Sequence, residues 1–271
     1  MKRILTLLCA LMLVLSLSVT MVACGTHECK DNDKNHKCDT CEETMGEHAD
    51  GSDVDRLCDY GCGQTATTAF NVYVTISNKG TLVMTQETVL AKDKNDDGKI
   101  NMDEALFAAH DAEYEGGAAD GYASYTHEQF GLSLGTLWGD NSGSFGYYLN
   151  NASAFGLSDE VKEGDSVYAF VYADATTWSD SYSFFHINRA ELLKNGELEL
   201  TLCCAGYDAE WNPVTLPVEG AAITINGETT AYKTDAQGKV TITFDNTGGF
   251  VVSAISTSAT LVPPVCLVTV K

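Results

Sequence analysis

The chain has 271 residues, room for one large domain or two to three small ones. It carries 16 Lys and Arg against 38 Asp and Glu, a formal charge of −22, which argues against binding nucleic acid or an anionic membrane surface, since both need cationic side chains. With 44% hydrophobic and 9% aromatic residues it is too apolar to be disordered throughout, and its ten Cys need a placement that explains them.

Lys2 and Arg3 precede an uncharged apolar run from Ile4 to Ala23, the pattern of a secretory signal over residues 1–23. The run ends at Met21-Val22-Ala23-Cys24, which resembles a bacterial lipobox. That resemblance implies cleavage before Cys24, lipidation of its thiol, and anchorage to the outer face of a cell membrane. Ordinary cleavage nearby, giving a secreted chain, and an uncleaved anchor of ~20 residues are the other readings. All three export the rest of the chain.

Residues 24–66 are rich in Asp, Cys and His and contain an internal repeat. Asp33, Asn35, Cys38 and Asp39 recur, 20 residues on, as Asp53, Asp55, Cys58 and Asp59. Almost no large apolar side chain lies here, so the segment needs a staple or a metal to hold a shape. Cys29, Cys38, Cys41, Cys58 and Cys62 form a cluster suited to disulfides in a pinned stalk. His27, Cys29, Cys38 and Cys41 are also ligand types for Zn2+, with Cys38-x2-Cys41 at zinc spacing. The alternating Asp33/Asn35/Asp39 and Asp53/Asp55/Asp59 oxygens suit Ca2+ instead. The segment resembles the H-K-C-D-x-C repeats of bacterial surface proteins.

The most specific signal is Asp93-Lys94-Asn95-Asp96-Asp97-Gly98-Lys99-Ile100-Asn101-Met102-Asp103-Glu104. It fits a twelve-residue EF-hand-type loop at every defined position. Asp93, Asn95 and Asp97 offer side-chain oxygens, Lys99 its backbone carbonyl, Asn101 a ligand often bridged by water, and Glu104 two closing oxygens. Gly98 takes the positive φ that wraps the chain around one ion. Ile100 points inward. Downstream, Met102–Tyr114 reads as a helix with Leu106, Phe107 and Ala109 facing the core. Upstream, Thr81–Leu90 reads as a strand, so the unit is strand–loop–helix and the ion structural, since a sensor needs a paired second loop.

Residues 67–205 are expected to be an α+β domain, an antiparallel sheet with that one helix. Its strands include Phe70–Ile76, Ser166–Tyr172 and Glu197–Leu202. Phe145-Gly146-Tyr147-Tyr148-Leu149-Asn150-Asn151, followed by Gly164-Asp165 and an aromatic strand, is similar to the C-terminal domain of transcobalamin and its bacterial relatives. The resemblance implies a small β-rich domain with one helix and, in some relatives, a face contacting a corrinoid. Tyr147 and Tyr148 would carry such a ligand face. The same aromatics also suit core and cross-strand packing. Gly131-x-Ser133-x-Gly135, with Asp165, Asp174 and His186 behind it, has the order of a serine hydrolase, but the Gly-rich residues 136–143 do not read as the helix such an elbow requires.

Residues 206–271 show short strands separated by Gly turns, a β-sandwich pattern. Val218–Gly227 and Thr234-Asp235-Ala236-Gln237-Gly238-Lys239 resemble immunoglobulin-like modules of bacterial surface proteins. Continuing the Leu198/Leu200/Leu202 face inward reaches Cys204, so a Cys204–Cys266 disulfide is expected. Together these readings describe a non-enzymatic, membrane-anchored calcium-binding surface lipoprotein for adhesion or display, its protein or glycan partner unidentified. Capture of a corrinoid or glycan through Tyr147 and Tyr148 is the second reading, and a hydrolase centred on Ser133 the third.

Overall fold

The computed structural model describes residues 32, 37, 39–40, 42, 49–50, 67–95 and 97–271. The chain divides into two units, residues 1–66 and 67–271. The signal segment 1–23, Cys24, and Cys29, Cys38, Cys41, Cys58 and Cys62 lie outside the described residues. Within the first unit, the backbone N and the Nδ2 of Asn32 both donate to Asp39 Oδ2, at 2.9 and 2.5 Å. Among the described residues, no helix is long and apolar enough to cross a membrane.

The second unit is mostly β. Strand β1 (Thr67–Asn78) turns back into β2 (Thr81–Lys92), and helix α1 (Met102–Glu113) and a single turn α2 (Gly117–Gly121) follow. A hairpin, β3 (Tyr122–His127) and β4 (Gly131–Leu137), leads to β5 (Phe145–Leu149), β6 (Ala152–Ser153) and β7 (Ser166–Val171). These strands make a sheet in the order β2-β1-β7-β5-β6, with β1 and β7 parallel and the other pairs antiparallel.

Helix α1 buries Met102, Ala105, Leu106, Ala109 and His110, a 3.6-residue stripe that packs on Val72, Val74 and Ile76 of β1. Phe107, expected on that stripe, is only partly buried and meets Tyr122 edge-on.

Ten further strands follow: β8 (Ser181–Phe185), β9 (Arg189–Leu192), β10 (Glu197–Tyr207), β11 (Pro213–Pro217), β12 (Ala222–Ile225), β13 (Glu228–Lys233), β14 (Lys239–Thr243), β15 (Gly248–Ile255), β16 (Leu261–Val262) and β17 (Cys266–Val270). One sheet runs β9-β17-β15-β12-β13. The other runs β11-β10-β8-β16, with β14 on the first half of β10. Leu198, Leu200 and Leu202 of β10 share a core with Ile223, Val252 and Val268 of the opposite sheet, which makes a β-sandwich. A boundary at residue 206 therefore falls inside a strand: β10 belongs to the sandwich over its whole length, as does Phe185 of β8.

The two cores are joined by a third. Val167, Ala169 and Val171 of β7 face the helix side, while Tyr168 and Phe170 face the other way and pack with Tyr182 of β8 and Val262 of β16. β7 is thus covered on both faces, which is why its sequence is a continuous apolar run. Tyr168 donates its hydroxyl to Pro263 O at 2.6 Å. A bulge opposite Thr75 puts Gln86 at φ +48, and its Nε2 donates to Asn188 O and Val265 O. Arg189 returns a bond to Gln86 O at 2.8 Å and lies over the Tyr73 ring.

The expected Cys204–Cys266 disulfide does not form; both are free thiols. The alternation that points Cys204 inward is correct, since it packs against the sandwich core. But Cys204 pairs with Leu216 and Ser183 in one sheet, while Cys266 pairs with Val252 in the other and is fully buried. Burial pushes the Cys266 thiol up to about 12, so it behaves as a small apolar side chain. Non-reducing peptide mapping should recover Cys204 and Cys266 on separate, unlinked peptides; one joined peptide would contradict this packing.

Gly146 on β5 allows a second close approach. A Cβ there would stand inside the van der Waals envelope of the Phe170 ring, itself 1% exposed. Gly146→Ala is expected to destabilise the unit by about 1–3 kcal/mol, the cost of overpacking a filled core. An unchanged denaturation midpoint would show that the ring moves freely.

Candidate metal centre

The loop at residues 93–104 begins where β2 leaves the sheet and ends as the first turn of α1. Asp93 N donates to Thr68 O at 2.9 Å, so the first candidate ligand is fixed to the neighbouring strand. Gly98 has φ +83, the left-handed turn expected of it. Its N–H donates to Asp93 Oδ2 at 2.7 Å, and Asp97 N donates to Asp93 Oδ1 and Asn95 Oδ1 at 3.3 and 3.0 Å. Lys99 N donates to Asp97 Oδ1 at 2.9 Å. In these bonds the Asp93, Asn95 and Asp97 side-chain oxygens accept from the loop's own backbone N–H groups.

The closing residue does two jobs. Asn101 is the N-cap of α1: its Oδ1 accepts from Glu104 N, and Asn101 N donates back to Glu104 Oε2 at 3.0 Å. Glu104 Oε1 meanwhile accepts from Lys94 N at 2.7 Å, across the mouth of the loop. Loop closure and helix initiation therefore depend on the same carboxylate.

Asp93 and Glu104 are each 4% exposed, whereas Asn95, Asp97 and Lys99 are open to solvent. Burial pushes the Glu104 carboxyl above its ordinary range; backbone N–H groups of Lys94 and Asn101 pull it down, and the charges of Asp93 and Asp97 push it up again. Among the described residues, no lysine ammonium bonds this pair. Lys94 Nζ lies over the Phe107 ring, and Lys99 Nζ pairs with Glu160 at 3.0 Å. An ionised carboxylate held from water costs on the order of several kcal/mol unless a positive charge answers it.

The donor set fits calcium: side-chain oxygens of Asp93, Asn95, Asp97, Asn101 and Glu104, with the Lys99 carbonyl, all hard ligands at the spacing six- to eight-fold coordination requires. Among the described residues, no three His, Cys, Asp or Glu side chains are gathered as a group that could hold a metal ion. A bound ion would need amide and carbonyl oxygens and water to complete its shell.

Sequence reading found no partner for Ile100. The structure supplies one. Ile100 is 1% exposed, its carbonyl accepts from Val161 N at 2.9 Å, and Asn101 bridges Glu160 in antiparallel fashion. Met102 N and Asp103 N donate to Asp159 O and Leu157 O, each at 3.0 Å. Residues 157–161 thus stand where a second loop would pair. The buried Leu157 and Val161 are the only trace of this in the sequence.

At the far end of α1, His110 is fully buried; its Nδ1 donates to Leu106 O at 2.6 Å and its Nε2 accepts from Trp138 N at 3.0 Å. The bond accepted at Nε2 requires the neutral ring, and burial lowers its pKa against the smaller upward effect of the Leu106 bond.

The other candidate residues are dispersed. Ser133 lies mid-strand in β4 opposite Tyr125, with its Oγ bonded to Gly131 O and no helix after it. Asp165 bonds Asn150 and Lys162, Asp174 closes its own turn through Thr176 and Thr177, and exposed His186 accepts from Thr201 N in the sandwich. They form no catalytic set. Tyr147 and Tyr148 are adjacent on β5, so they face opposite ways: Tyr147 toward the helix-side core, Tyr148 toward the third cluster. Their rings pack on different cores, yet both residues border one groove together with Tyr182 and Tyr207.

No family model matches the sequence, and no curated protein resembles it significantly. Among solved structures it has slight likenesses to two tandem immunoglobulin-domain proteins. The N-terminal four domains of a Dscam1 isoform match at a TM-score of 0.22 and 7% identity, covering 76% of this chain and 47% of that one. Sidekick-1 domains 1–4 match at 0.21 and 13%, covering 77% and 52%. The chain spans about half the length of either. Likenesses this slight assign neither family nor function.

Because the folded His110 binds its proton less tightly than the unfolded ring, the unfolded state gains protons first on acidification. Stability should therefore fall as pH drops below the ordinary histidine value of ~6.5. An NMR titration should place the His110 midpoint below that value; one at or above it would contradict the neutral, doubly bonded ring.

Proposed function

We propose that this chain is an exported, non-enzymatic surface protein whose folded unit is locked by one structural calcium ion at residues 93–104. The observation that carries this reading is the buried pair Asp93 and Glu104, each 4% exposed, with backbone N–H groups as partners and no cationic side chain bonded to them among the described residues. A divalent cation answers both charges and draws in the exposed Asn95 and Asp97. Because the loop is fixed to Thr68 at one end and to residues 157–161 at the other, the ion tightens a joint between elements and leaves no groove to open.

Export and lipid anchorage rest on Lys2-Arg3, the apolar run to Ala23, and Cys24. Once outside a cell, even a weak calcium site stays filled. A chain with a −22 charge, a β-sandwich and, among the described residues, no gathered catalytic set is suited to display or adhesion. In this reading the helix-bearing first core is an α+β layer and the sandwich an immunoglobulin-like module. The Asp- and Cys-rich residues 24–66 serve as a stalk, held by disulfides or by a second ion, calcium or zinc.

Calcium is expected to raise the thermal midpoint of the purified chain, and chelation to reverse the gain. Asp93→Ala with Glu104→Ala should abolish the shift. Because Glu104 holds its proton more tightly than usual, calcium binding should weaken on acidification from neutral pH sooner than an ordinary carboxylate would dictate. A wild-type melting curve indifferent to both calcium and chelator would overturn the reading.

A further inference from the structure

The strand pairings bring together tyrosines that lie far apart in sequence. Tyr148 on β5, Tyr172 just beyond β7, Tyr182 on β8 and Tyr207 at the end of β10 line one open groove of about 710 Å3. That volume is within the ~300–1,000 Å3 of small-ligand sites. The rings are held in place before any ligand arrives: Tyr148 lies flat on Tyr182, with centroids 3.6 Å apart and planes 7° apart. Tyr182 donates its hydroxyl to Asn151 Oδ1 at 2.9 Å, which fixes the floor.

At the outer edge, Tyr207 is 59% exposed, and Trp211, 6.1 Å from it, is 81% exposed. Rings of this size dominate a core when buried, so a pair left in water beside a groove marks a contact surface.

Charge narrows the ligand. The chain is strongly acidic, yet among the described residues no Lys, Arg or His lines the groove. Its one acid, Asp180, bonds Ala173 N through one oxygen and Asp174 N through the other, at 2.7 and 2.9 Å. Nothing there answers a phosphate, a sulfate or an ammonium group. What the groove offers is aromatic faces together with neutral hydroxyl and amide groups, the complement of a ring with apolar C–H faces and hydroxyls at its edge.

We propose that this groove binds a neutral saccharide, with a pyranose face stacked on Tyr207 and ring hydroxyls bonded to the phenols and to Asn151. No residue of the loop at 93–104 lines it, so the calcium reading and this one can fail separately.

The test is calorimetric titration of the full chain with cellohexaose, maltohexaose, xylohexaose, mannohexaose and chitohexaose, and with choline chloride as the cationic alternative. At least one hexasaccharide should bind. Tyr207→Ala should weaken it tenfold or more with an unchanged thermal midpoint, because that ring is exposed. Trp178→Ala, which removes an exposed ring outside the groove, should bind as wild type does. Absence of binding across the five sugars, undiminished affinity in Tyr207→Ala, or choline binding without sugar binding would each overturn the proposal.

Discussion

Two carboxylates held out of water, Asp93 and Glu104, flank the loop that joins sheet to helix in the first core. Asp93 ends the edge strand and Glu104 starts the helix, so whatever balances their charge also fixes the angle at which helix meets sheet. Their backbone partners supply dipoles but no whole charge, and like charges in a low-dielectric setting repel strongly. Glu104 shows the strain: burial and its acidic neighbours together favour its protonated form. In the proposed reading, a bound divalent cation would turn that repulsion into a cross-link between strand and helix.

From this joint, order passes outward by short steps. Ile100 fixes residues 157–161 by backbone bonds, and residues 152–154, just before them, form one wall of the tyrosine groove. On the opposite side of the sheet, Tyr168 and Phe170 carry the packing across to the sandwich, where Gln86 and Arg189 exchange hydrogen bonds. The two cores are therefore joined by both apolar contact and directional bonds, a combination that resists hinge motion better than either alone.

Much of this was legible in the sequence wherever one local rule governs several adjacent residues. The left-handed turn at Gly98, the helix after it, and strands such as Ser166–Val171 follow from turn chemistry and apolar period. What escaped was set by pairing between distant segments. Nothing in Glu160 or Val161 announces that they pair with Asn101 and Ile100, and nothing in Tyr207 announces Tyr148. Tyr147 and Tyr148 border one groove, but neighbours on a strand point apart, so their rings pack on different cores. The disulfide expectation extended a correct alternation to Cys204 but had no means of knowing which sheet Cys266 joins.

The central claim is that one ion occupies the loop between β2 and α1. Equilibrium dialysis of the purified chain against radiolabelled calcium tests it most directly, with Asp93→Ala plus Glu104→Ala dialysed alongside. One saturable equivalent more in the wild type than in the double variant is the predicted result. Equal uptake by the two proteins would contradict the account.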